Sequence, residues 1–137
     1  ALDGAPISVY GTGKQSRCFC DVRDAVEALL RLAATDKAVG EVVNVGNDHE
    51  ITIEDLARLV KERTSSASPI EYIPYDQAYE PGFEDMFRRV PSLDKLQQLT
   101  GFRPTAPLPE IIDRVAAYQG RKKEFVSAPR EAANTAA

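Results

Sequence analysis

The sequence predicts an α/β fold, a small mixed sheet of short strands with about four helices, and three observations carry that expectation. Short β-branched runs, ISVY after Pro6, VVNV before Gly46 and IEYI after Pro69, are each closed by glycine, proline or polar residues. Stretches such as residues 22–33 instead space their apolar positions three and four apart, which puts them on one face of a helix. The order strand, turn, helix is plainest across residues 42–60.

Taken in order, PISVY at residues 6–10 is the first strand, ended by Gly11 and Gly13. Val22, Ala25, Val26, Leu29, Leu30 and Ala33 then mark a helix that Asp21 is placed to cap. VVNVG at residues 42–46 is a compact strand-like run, followed by the polar turn NDHE. Thr52 N-caps the next helix, which carries Leu56, Leu59 and Val60; Asp55 suits a capping box and Ile51 a staple onto Leu56. SSASP at residues 65–69 is a loop, and IEYIPY at residues 70–75 alternates as a third strand that Pro74 confines to an edge or an end. DQAYEPGFEDMFRRVP is a long polar connection, of a length that usually carries function or disorder. Ser92 opens a short helix with Leu93, Leu96 and Leu99 on one face and Gly101 as its stop. Pro109 opens a last helix bearing Ile112, Val115, Ala116 and Tyr118. One lobe over residues 1–125 and a disordered tail over residues 126–137 are therefore expected, without internal repeats.

The 137 residues are one domain's worth, enough to bury roughly two-thirds of the unfolded surface. Apolar residues at 43% and charged residues at 28% are ordinary for a globular protein, and no run approaches the roughly 18 apolar residues of a membrane span. The net charge of -4 argues against a nucleic-acid partner, though a few arginines still suffice to hold one phosphate ligand. Cys18 and Cys20 are too close for an unstrained bridge and, with His49 far off, fall short of a zinc set. They read as free thiols in a reducing, cytoplasmic setting, with no metal site. The chain begins ALDG, without a methionine or a signal-peptide layout, which suggests a segment from inside a longer protein.

Several residue pairs invite a chemical reading. Tyr10 and Lys14 have the Y-x-x-x-K spacing of a catalytic tyrosine with its lysine, but that pairing needs a helix, and Gly11 and Gly13 oppose one. Tyr118 and Lys122 repeat the spacing on a helix, with Gly120 between them and Tyr118 on the apolar side. GTGK lacks the first glycine and the Ser/Thr of a phosphate loop, and Ser16 stands where a dinucleotide loop has its third glycine. Arg17, just past this turn, is either a two-pronged clamp for a phosphate or pyrophosphate or a surface arginine paired with Asp21 or Asp24. Arg88 and Arg89 form a second cationic point, or else a solvated pair.

Together these stretches amount to a resemblance. VYGTGKQSRCFCDVRD is similar to the pattern V-Y-G-x-G-x-Q-x-R-x-F-x-x-V-x-D, VVNVGNDHEITIEDLA to N-x-G-x-x-x-x-x-[ST] followed by [DE]-L-A, and FRRVPSLDKLQQLTGFRP to R-x-P-D-x-x-K-x-x-x-x-L-G-[WF]-x-P. In this order they resemble the C-terminal, substrate-binding part of extended short-chain dehydrogenase/reductases, the Rossmann-type NAD-dependent nucleotide-sugar epimerases, dehydratases and UDP-glucuronate decarboxylases.

The resemblance implies that Arg17 contacts the diphosphate of a nucleotide sugar and that Tyr10 and Gly11 lie along its base. It implies that Arg89, with Arg88 as an alternative, faces the sugar or its phosphates, and that Asp85 orders the ribose or the neighbouring arginine. Asp24, Asn44 and Gly46 match structural positions. The family's R-x-G-D is replaced here by Gly82, Phe83, Glu84 and Asp85, which leaves open which arginine of the pair binds phosphate. The cofactor half, with its G-x-x-G-x-x-G loop and catalytic Y-x-x-x-K, has no counterpart in this chain. NAD is accordingly expected only in a complete parent enzyme, and no catalytic residue or turnover in this chain alone. The alternative is a free-standing, non-catalytic fragment that binds a ligand or self-associates through an exposed apolar face.

Overall fold

The computed structural model describes residues 1–78, 80 and 85–127, with side chains to residue 121. Within them the fold is α/β, but the strands make two separate pairs instead of one mixed sheet. Strand β1 (Ile7–Tyr10) runs parallel to β4 (Ile70–Ile73), Ile7 opposite Ile70 and Tyr10 opposite Ile73. The ladder is prolonged at both ends, where Ile7 N donates to Pro69 O and Gly11 N to Ile73 O, each at 2.8 Å. Strand β2 (Ser16–Cys18) runs antiparallel to β3 (Glu50–Thr52), and the other edge of β2 forms a parallel bridge from Ser16 to Arg88.

The turn between β1 and β2 is built on Gly11 and Gly13, whose φ values of 68° and 71° lie in the left-handed region that side chains oppose. Room matters as much as torsion. A Cβ at Gly13 would sit 2.8 Å from Val9 Cγ1 and 3.0 Å from Glu54 Cβ, and one at Gly11 would run into the ring of Tyr75.

Helix α1 (Val22–Ala33) begins where the sequence places it, because the Asp21 carboxylate accepts the Arg23 N–H at 2.8 Å. Thr52 caps α2 (Ile53–Arg63): its hydroxyl oxygen accepts from Asp55 N at 3.0 Å. The expected reciprocal half of the capping box differs, since the Asp55 carboxylate takes the Thr52 hydroxyl at 2.6 Å. Pro74 ends β4, and Tyr75–Ala78 forms a single helical turn, α3, at the start of the long connection. Helix α4 (Asp94–Thr100) stops at Gly101, at φ 67°, as expected of a left-handed cap. Helix α5 (Leu108–Ser127) continues through Gly120 and two residues into the stretch assigned to the tail; residues 128–137 lie outside the described residues.

Two contacts organise the core. Ala28 of α1 and Leu93 and Leu96 at α4 are buried where these helices meet; Ala57 of α2, Val9 of β1 and Ile112 of α5 are buried around α2. The outward face of α1 is different. Val22, Val26, Leu29 and Leu30 are all exposed, as are Val39 and Val42 beyond the helix.

The run VVNVG is the clearest departure from expectation. Residues 42–46 form no strand, and Val42 is 87% exposed; β3 forms instead at Glu50–Thr52, partly within the tetrapeptide NDHE that reads as a turn. A strand exists only where a neighbour completes its ladder. Polar β2 offers that neighbour to residues 50–52, and no described strand lies beside residues 42–46. Among the described residues no helix is long and apolar enough to cross a membrane.

Candidate functional site

Beside β2 lies an open hollow of about 590 Å³, bounded on one side by Arg17 and Cys18, on another by residues 44–47, and on the third by residues 89–92. The two loop walls are tied together where Asn44 Nδ2 donates to Ser92 O at 3.2 Å. Asn47, almost wholly buried, keeps its own loop in shape by accepting the His49 N–H at 2.7 Å. The hollow therefore has a fixed rim and two arginines on it.

Arg17 reaches it from β2. One guanidinium nitrogen donates to Ser16 O at 2.6 Å, and another is ion-paired with Asp85. Asp85 also accepts the Tyr75 hydroxyl at 3.1 Å, and the ring of that tyrosine occupies the space left by Gly11. Gly11 is thus connected to Arg17 through Tyr75 and Asp85. Neither Asp21 nor Asp24 is the partner of Arg17. Asp21 is buried and engaged with Arg23 and Arg114, while Asp24 accepts the backbone N–H groups of Thr105 and Ala106, each at 3.0 Å, and so organises the loop before α5.

Arg88 and Arg89 are separated in role by their surroundings. Arg88 Nε donates to both carboxylate oxygens of Glu50, at 3.1 and 3.0 Å, and its Nη2 lies 2.9 Å from Oε2. Glu50 also accepts the hydroxyl of Ser16; that hydrogen bond first, and Arg88 second, hold its carboxyl below the usual range. Arg89 borders the hollow and has no hydrogen-bond or ion-pair partner among the described residues. Cys18, also on the rim, is an unpaired thiol pushed up mainly by burial and then by the charges of Glu50 and Asp48, so it stays protonated near neutrality.

Of the residues singled out from sequence, the structure brings Arg17, Asp85 and Arg89 to one place and joins Gly11 to them. Tyr10, at the end of β1, is exposed and does not line the hollow; its carbonyl accepts from Gln15 Nε2 at 2.9 Å. Arg88 is turned to Glu50. The Tyr10–Lys14 pair sits on the glycine turn and cannot share a helical face, and Tyr118 is exposed instead of lying on an apolar side. Gly82, Phe83 and Glu84 lie outside the described residues. Sequence reasoning missed Ser16, Glu50 and Tyr75, because each acts through a partner distant in the chain.

Over residues 1–46 the chain matches the model of the NAD dependent epimerase/dehydratase family. It is 40% identical over 104 residues to UDP-N-acetyl-alpha-D-glucosaminuronate decarboxylase of Bacillus cytotoxicus, covering 76% of this chain and 32% of that protein. It is 36% identical over 124 residues to UDP-glucuronic acid decarboxylase 1 of Danio rerio, covering 90% and 28% respectively. Among solved structures, an epimerase from Methanothermobacter thermautotrophicus superposes with a TM-score of 0.81 at 22% identity, over 91% of this chain and 36% of its own. UDP-glucuronic acid 4-epimerase from Bacillus cereus, in complex with UDP-glucuronic acid and NAD, superposes with a TM-score of 0.76 at 20% identity, over 88% and 37%. The chain spans about a third of the length of the curated relatives it matches.

Proposed function

From its membership of the NAD-dependent epimerase/dehydratase family, we propose that this chain is the part of such an enzyme that grips the diphosphate and nucleotide of a nucleotide-diphosphate sugar. The observation that supports this most is the hollow beside β2, where Arg17 meets Arg89, which has no partner among the described residues, in a chain of net charge -4. Two guanidinium groups at one polar hollow suit a diphosphate, whose paired oxygens accept forked N–H donors. Arg17 is the diphosphate clamp in this reading, and Arg89 serves the second phosphate or the sugar. Asp85 holds Arg17 in place and accepts ribose hydroxyls, and Tyr10 and Gly11 border the base.

NAD does not fit the residues present. The sequence has no G-x-x-G-x-x-G, and the glycines of the GTG turn are closed by Tyr75, Val9 and Glu54 instead of opening to a pyrophosphate. No catalytic step is therefore assigned to this chain, and its activity alone is expected to be nil. In a longer protein the cofactor and the proton-transferring residues would belong to the remainder.

Calorimetric titration tests both halves of this reading. UDP-glucuronic acid should bind weakly, and Arg17→Ala should weaken it by at least about tenfold, the scale of a lost charge-assisted contact. An unchanged affinity in that variant rejects the clamp, and micromolar binding of NAD rejects the missing cofactor site. A second reading, a free-standing fragment that self-associates, draws on the exposed Val22, Val26, Leu29 and Leu30 of α1.

A further inference from the structure

We infer that Glu50 is a positioning residue that decides which of two adjacent arginines serves the hollow: it holds Arg88 away and thereby presents Arg89. This role rests on the proposed reading of the hollow as a diphosphate site.

The chemistry of Arg88 and Arg89 is the same, so the choice has to come from their surroundings. Glu50 engages Arg88 through both carboxylate oxygens and takes the Ser16 hydroxyl as well. Ser16 is itself nearly buried, and its backbone N–H donates to Phe87 O at 2.9 Å. One residue of β2 thus fastens both the Glu50 carboxylate and the segment that carries the arginines. The Ser16–Arg88 bridge fixes that segment against β2 at Arg88. With Arg88 committed to Glu50, Arg89 is the arginine of the pair that borders the hollow. Glu50 is thus a choice built into β3, on the far side of β2 from the segment whose residues it sorts.

The test is nuclear magnetic resonance of the arginine Nε–Hε groups in the full chain, assigned with Arg88→Lys and Arg89→Lys, during titration with UDP-glucuronic acid. In the wild type, the resonances of Arg17 and Arg89 should shift and that of Arg88 should stay. In Glu50→Gln, Arg88 should begin to respond, Arg89 should respond less, and affinity should fall about three- to tenfold. A merely structural role would lower stability without handing the response from one arginine to the other. Equal responses of Arg88 and Arg89 in the wild type overturn the inference, as does a Glu50→Gln variant that leaves pattern and affinity unchanged. If neither Arg17 nor Arg89 responds in the wild type, the diphosphate reading falls and the positioning role with it. Should Glu50→Gln fail to fold, Arg88→Gln provides the second arm: it removes the held arginine, and the Arg89 response should shrink if the Glu50–Arg88 contact sets its direction, whereas an undiminished response overturns the role.

Discussion

The rim of the hollow and the outer face of α1 are both exposed, yet they are finished to different degrees. On the rim, Arg17 is paired with Asp85 and Asn44 spans the loops, while Arg89 has no hydrogen-bond or ion-pair partner among the described residues. On α1, the stripe that the sequence marks for burial, Val22, Val26, Leu29 and Leu30, faces outward, with Leu30 63% exposed. Continuous apolar surface of this kind is uncommon on isolated domains. A lobe can evidently be prearranged at a polar site while its hydrophobic bookends remain uncovered.

The two regions share one support, which gives the harshest way to break the comparison. Leu96 is wholly buried between α4 and α1, and the segment leading into α4 forms one wall of the hollow. Leu96→Ala should cost about 2–5 kcal/mol of stability, measured by urea unfolding, and should weaken ligand binding in parallel. A loss of stability with intact binding would separate the regions. Asp21 provides a subtler handle at the junction of β2 and α1. The Arg23 N–H, and then the side chains of Arg114 and Arg23, hold its carboxyl at about 2 against the ordinary 3.8, despite its burial. A carboxyl depressed on folding stabilises fully above its unfolded value and loses that contribution as pH falls through its folded one. Stability should therefore drop by about 2 kcal/mol between pH 4 and 2, and Asp21→Asn should flatten that part of the profile. A flat wild-type profile over this range would show that the cap and the Arg114 pair contribute little. The smallest effect belongs to the outer face. Leu30→Glu should alter stability by within about 0.5 kcal/mol, since the side chain is solvated in the monomer, but should reduce any self-association seen by light scattering. A large loss of stability would mean that this face is packed after all.

What the sequence revealed followed the distance over which each interaction acts. Helix α1 was legible because its spacing and its Asp21 cap lie within a few residues, and the same holds for Gly101 at the end of α4. Strands were legible only where composition and pairing agreed. Residues 42–46 have the composition without a partner, whereas Ser16–Cys18 and Glu50–Thr52 have a partner without the composition. Arg17 stood out through its place after a glycine turn and through family resemblance, but its counter-ion could not be read locally. Asp85 lies 68 positions along the chain from it, whereas Asp21 and Asp24, close in sequence, are occupied by an arginine pair and a loop. The difference between Arg88 and Arg89 was invisible for the same reason, because it depends on Glu50.

The parallel ladder of β1 and β4 has a consequence for how the chain acquires its shape. Ile7 pairs with Ile70, so the first strand waits for a partner 63 positions later, with β2, α1, β3 and α2 all lying between. On a ribosome, Val9 cannot be enclosed by this pairing until the residues of β4 have emerged, although α1 and α2 can already coil. Closure of the ladder is therefore a late, non-local step, and the interval before it is when the nascent lobe is most open to aggregation or to a chaperone.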